Sequence, residues 1–161
     1  MKFTARGSNS SRVVIPAVIC PTSDRHPEHE EELDGISILR HDLPIEAEGA
    51  LGYLREYTAA LFQQSRLALK AWRRRRFDVI QACNPPDLLF LVALPYRILF
   101  GVRFIFDHHD LSPELYEAKF ARRGLFHRLL TLAERATFRL ADVSIATNET
   151  FRDIAVARGR M

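Results

Sequence analysis

The sequence predicts an α/β domain of three layers, with helices on both faces of a mostly parallel sheet. Three observations carry that prediction. From Ala50 onward helical and strand patterns alternate, as parallel neighbours joined by crossovers require. The chain has 161 residues, room for one core but not for two domains of ordinary size. Its apolar fraction of 47% and charged fraction of 27% exclude disordered, collagen-like and disulfide-scaffold classes.

Taken in order, residues 1–12 read as a polar tail carrying Lys2, Arg6 and Arg12, which leaves 13–161 as the folded unit. RVVIPAVICP reads as a buried strand, although Pro16 lacks a backbone donor and would be tolerated best at a sheet edge. The acidic stretch DRHPEHEEELDG is expected to be a loop, and Ile36 to Arg40 a short strand ended by Pro44.

From Ala50 to about Trp72, small or apolar residues recur every three or four positions (Leu51, Leu54, Tyr57, Leu61, Ser65, Ala68, Trp72), which predicts a long amphipathic helix. Arg73 to Arg76 follow at its C-terminal end, where cations meet the unpaired carbonyls. FDVIQA is a strand, and CNPPD a turn whose prolines and Asp87 can open a helix. DLLFLVALPYRILFG is apolar all round, so a largely buried helix is expected, kinked at Pro95 and ended by Gly101. VRFIFD is the next strand. Ser112 is placed to cap a helix with Pro113 at its first position. After a break near ARRG comes an amphipathic helix from Leu125 to about Leu140, then the strand ADVSIAT, and a last helix capped by Asn148 and ended by Gly159.

The net charge of +3 is too small to announce a nucleic-acid binder, and none is expected as a partner. Cys20 and Cys83 match no zinc or redox spacing and read as buried thiols in a reducing compartment. Val13 to Ile19 is too short for a membrane span, so a cytoplasmic address is the expectation. In parallel sheets ligands bind beyond the carboxyl ends of the strands, and CNPPD, DHHD and TNET form three successive strand-to-helix turns on that rim.

Beyond these local signals, FDVIQACNPPDLLFLVALPYRILFGVRFIFDHHDLSPELY followed by LADVSIATNETFRDIA resembles the N-terminal domain of glycosyltransferase family 4. Those are retaining sugar-nucleotide transferases with two facing Rossmann-like domains, the GT-B arrangement. The likeness is close from Phe77 to Arg158 and loose from Val13 to Arg40. It implies a Rossmann-like fold and transfer of a sugar from a nucleotide donor to a glycan or lipid-linked acceptor. It implies no obligatory divalent metal and no cofactor besides the donor substrate. The first domain of such enzymes handles the acceptor, and the histidine preceding the aspartate at the strand end lines the cleft, which is His109 here.

Departures from the family pattern are informative. The family opens with a strand, a glycine-rich loop and a helix, whereas Met1 to Arg12 offers only Gly7, so the chain is expected to lack that unit and its central strand. After GRM the family would continue into a donor-binding domain with two glutamates separated by seven residues. Glu48 and Glu56 have that spacing in the wrong domain, a coincidence. The chain is thus expected to be a fragment, inactive without its C-terminal GT-B partner domain.

His109 is the catalytic candidate, since an imidazole can position a sugar hydroxyl. Side chains alternate along a strand, so His108 and His109 should face opposite ways, and only one can meet a ligand. Asn84, Asp107, His108, Asp110, Glu114 and Asn148 are candidates for substrate binding. Each also has a structural reading: the aspartates fix the turn, the asparagines cap helices, and Glu114 compensates a helix dipole. No metal site is expected, because adjacent ligands chelate poorly and no helical His pair supports them. Trp72 and Arg73, Arg74, Arg75 and Arg76 could contact an anionic membrane face or simply form a solvated terminus. A different class of protein, a noncatalytic module binding anionic lipid or nucleic acid through that run, is the alternative. Dinucleotide redox chemistry lacks its G-x-G-x-x-G cradle, and no serine sits in a nucleophile elbow.

Overall fold

The computed structural model describes residues 1–6, 14–42, 49–85, 87–120 and 124–159. Seven strands form one sheet: β1 (Lys2–Arg6), β2 (Val14–Pro21), β3 (Glu30–Leu33), β4 (Ile36–His41), β5 (Val79–Cys83), β6 (Arg103–His108) and β7 (Val143–Ala146). The helices are α1 (Gly49–Arg74), α2 (Phe90–Phe100, led by a 3-10 turn at Asp87–Leu89), α3 (Ser112–Phe120), α4 (Leu125–Leu140) and α5 (Glu149–Gly159). The sheet order is β3-β4-β2-β1-β5-β6-β7. β2, β4, β5, β6 and β7 run one way and β1 and β3 the other, a mostly parallel Rossmann-like sheet.

The side chains of the strands alternate, and one face supplies the core. Phe3, Ile19, Leu39, Ile80, Ala82, Phe104 and Phe106 are buried against Leu67, Ala68 and Ala71 of α1, Val92 and Ala93 of α2 and Phe138 of α4. On the opposite face Gln81, Cys83, Ile105 and Asp107 are partly open, and Val143 and Ile145 are exposed. Among the described residues the helices form one layer, not the two expected. The crossovers from β4 to β5, β6 and β7 all advance in the same direction across the sheet, and right-handed connections of one direction deposit their helices on one face.

Three local expectations are corrected. Lys2–Arg6, placed in a polar tail, is the middle strand: Phe3 is buried, and β1 pairs antiparallel with both β2 and β5. The central slot expected to be vacant is therefore filled by a reversed strand. β2 is accordingly interior rather than an edge. Pro16 is accommodated because the β2–β4 ladder begins only at Ala17↔Ser37, so Pro16 is paired on one flank alone, opposite Thr4. Within the acidic stretch Glu30–Leu33 is an edge strand paired with β4 across a tight turn, where Asp34 (φ 50°) and Gly35 (φ 80°) take the left-handed conformation that Asp-Gly hairpins favour.

Other elements follow their patterns. Gly101, at φ 69°, ends α2 and donates its N–H to Arg97 O at 3.1 Å. α2 is not buried all round, however: Leu91, Ile98, Leu99 and Phe100 are exposed. Ser112 lies inside the first turn of α3, and among the described residues its buried Oγ has no hydrogen-bond partner, so it does not cap that helix. Most of ARRG lies outside the described residues. No described helix is long and apolar enough to cross a membrane.

Candidate active site

The carboxyl ends of β5, β6 and β7 lie side by side, so the three turns share one rim. Cys83 and Asp107 are register partners, and alternation puts Gln81, Cys83, Asp107 and His109 on the open face of the sheet. Asp107 is the hub. Its Oδ2 accepts from Gln81 Nε2 at 2.9 Å and from the Cys83 thiol at 3.5 Å, and its Oδ1 lies 2.9 Å from His109 Nε2. The His109 side chain is 50% exposed. Asp107 thereby fixes the ring and favours a proton on Nε2, leaving Nδ1 as the ring atom available to a ligand.

The turn itself is held by Asn84, which is buried. Its Oδ1 accepts the backbone N–H groups of His109 at 2.8 Å and Asp110 at 3.2 Å, and its Nδ2 donates to Asp110 O at 2.5 Å. Asn84 is thus a clasp between two strand ends. Asn84→Ala is expected to remove the acceptor of two part-buried amides, those of His109 and Asp110, and to cost about 1–2 kcal/mol, measurable by urea unfolding.

Other candidates separate by environment. His108 is fully buried among Phe106, Phe138 and Phe151, its Nε2 3.4 Å from Glu134 Oε1, and so faces the helical layer, away from any ligand at the rim. Glu114 is ion-paired with Arg158 of α5. Asn148 caps α5, accepting from Phe151 N at 3.0 Å. Asp110 stays half-buried at the rim beside His109. Trp72 to Arg76 sit where α1 ends, at the opposite end of the sheet.

Among the described residues Cys83, Asp107 and His109 bring ligand atoms within 4.8 Å of one another, the group that could hold a soft cation. Burial first, and then the charge of Asp107, push the Cys83 thiol above its ordinary value. The thiol donates to Asp107, and the three side chains form one hydrogen-bonded set. Sequence reading missed Gln81 and Cys83 in this role. The signal was available in the two-residue spacing of 81 and 83 and of 107 and 109, which only the strand register connects.

Beside the rim, Tyr57 of α1, Pro85, Ser112, Leu115, Tyr116 and Phe120 of the following turns and α3, and Phe126 and Leu130 of α4 line a mainly apolar groove of about 570 Å³. The oriented imidazole and an apolar groove that includes Pro85 and Ser112 both lie at the carboxyl rim of a mostly parallel, Rossmann-like sheet, the place where such folds bind ligands. The model of the glycosyl transferase 4-like domain family matches residues 6–161, and the chain belongs to that family of glycosyltransferases. Among curated proteins none matches it.

Proposed function

We propose that this chain is the acceptor-side domain of a retaining, sugar-nucleotide-dependent transferase of the GT-B type, and that its acceptor is lipid-linked. The observation that carries the reading is the apolar groove sharing Pro85 and Ser112 with the turns that hold His109. A lipid portion would occupy the groove while its polar head meets the rim. His109, oriented by Asp107, would hydrogen-bond a sugar hydroxyl as charge develops at the reacting carbon. The nucleotide donor is a substrate held by the second domain, and neither a metal nor a further cofactor is required of these residues. Cys20 and Cys83 are both free, which fits the reducing cytoplasm.

The test is transfer from labelled nucleotide sugars to lipid-linked and to water-soluble acceptors, by the chain alone and joined to a donor-binding domain of the same family. Expected is no transfer alone and transfer to the lipid-linked acceptor when joined. Turnover by the isolated chain would refute the dependence on a partner domain, and preference for soluble glycans would refute the lipid assignment.

A further inference from the structure

The outward side of the helical layer is chemically unlike the rest of the molecule. α2 packs between α1 and α4, so the three present one surface. Together they carry nine Lys or Arg and two Glu, although the whole chain is nearly balanced with 23 basic and 20 acidic residues. Lys70 and Arg74 are paired with Glu30, and Arg97 with Asp142. One of the two glutamates, Glu134, is fully buried. What remains is Arg55, Arg66, Arg73, Arg128, Arg135 and Arg139, all exposed.

These arginines alternate with large apolar side chains. On α1, Phe62, Arg66, Leu69 and Arg73 recur at intervals of four, three and four, opposite the buried Gln64, Leu67, Ala68 and Ala71. On α4, Leu125, Arg128, Leu132, Arg135 and Arg139 do the same, opposite Leu130, Glu134 and Phe138. α2 adds Ile98 and Leu99 between them, 70% and 69% exposed. Phe100 stacks 4.7 Å from Trp72, whose ring lies 5.7 Å from the Arg76 guanidinium, so the arginine run at the end of α1 continues the same surface.

We infer that this face of α1, α2 and α4 docks on an anionic lipid bilayer. Leu, Ile and Phe at helical spacing enter the acyl boundary while arginines between them reach the phosphates, the pattern of helices that lie in a membrane interface. Charge complementarity selects the occupant. A second copy would set six arginines against six, and a nucleic acid would leave the aliphatic side chains without a partner. The surface is separate from the His109 rim, so the inference does not rest on the transferase reading.

Flotation of the purified chain with phosphatidylglycerol/phosphatidylcholine vesicles, against phosphatidylcholine alone, tests it. Binding is expected only to the anionic vesicles, weakening as salt rises. It should fall at least tenfold in Arg66→Gln/Arg135→Gln and in Leu69→Ser/Leu132→Ser, both outward-facing pairs whose folding circular dichroism verifies. Equal partition onto neutral vesicles, or none onto anionic ones, overturns the inference. So does a dimer that the leucine pair dissociates, which would make a second copy the occupant. RNA retention that survives the leucine pair, with vesicles ignored, also overturns it. None of these failures touches transfer at the rim.

Discussion

Arg158→Ala is expected to destabilise the domain by about 3–5 kcal/mol, lowering the melting temperature by roughly 10 °C. Arg158 of α5 donates from Nη1 to Glu134 Oε2 at 2.9 Å and to Glu114 Oε2 at 3.2 Å, and pairs through Nη2 with Glu114 Oε1. Glu134 is fully buried, and among the described residues its other oxygen has only the His108 ring, at 3.4 Å and without a hydrogen bond. Removing the guanidinium leaves that carboxylate in the interior without its counter-charge, which is why the expected cost far exceeds that of a surface pair. Arg158→Lys, keeping the charge without the planar fork, should fall in between. A loss below about 1 kcal/mol by thermal and urea unfolding would show that the network does not tie α5 to α3 and α4.

The same network predicts an acid limb in the wild type. Burial on its own would raise the Glu114 carboxyl, but the hydrogen bonds and charge of Arg158 outweigh it and hold the group below its ordinary 4.5. Asp142 behaves alike: burial raises it, and the Phe104 N–H and Arg97 bring it below its ordinary 3.8. In both cases the unfolded chain takes up protons first as pH falls. Their stabilisation is complete above about pH 4.5 and is lost progressively below it. Melting curves from pH 6 to 3 should show this slope, and Arg158→Ala should flatten the Glu114 part of it.

His109→Ala, made in the chain joined to a donor-binding domain of the same family, is expected to lower kcat about 10²–10⁴-fold with little change in acceptor KM. Asp107 acts through His109, so Asp107→Asn should reproduce part of that loss and Asp107→Glu restore some of it. His108→Ala should instead weaken folding and leave the kinetics of the folded fraction intact, because the ring is sealed among Phe106, Phe138 and Phe151. Equal kinetic losses at His108 and His109 would sink the assignment of the exposed ring as the one that meets substrate.

Strand-end histidines show how far the letters reached. Alternation separated His108 from His109 and the family resemblance pointed to His109, but no local pattern supplied the reason that His108 would be the covered one. That depended on all the crossovers advancing in one direction, which puts every described helix on the side of His108. Asn84 was read as a ligand-reading amide or a cap, and neither reading could see His109 and Asp110, 25 and 26 residues away, arriving opposite its side chain.

The sequence by itself determined the periodic elements, α1, α4, β5 and β6 above all, and the rim of strand-to-helix turns, because helical spacing, alternation and Gly101 act within a few residues. Only the tertiary structure decided that Lys2–Arg6 fills the middle of the sheet, that Asp107 gathers Gln81, Cys83 and His109, and that leucines and arginines of three helices share a face. Those outcomes depend on which strands become neighbours, a choice made by burial over the whole chain and invisible to any local pattern.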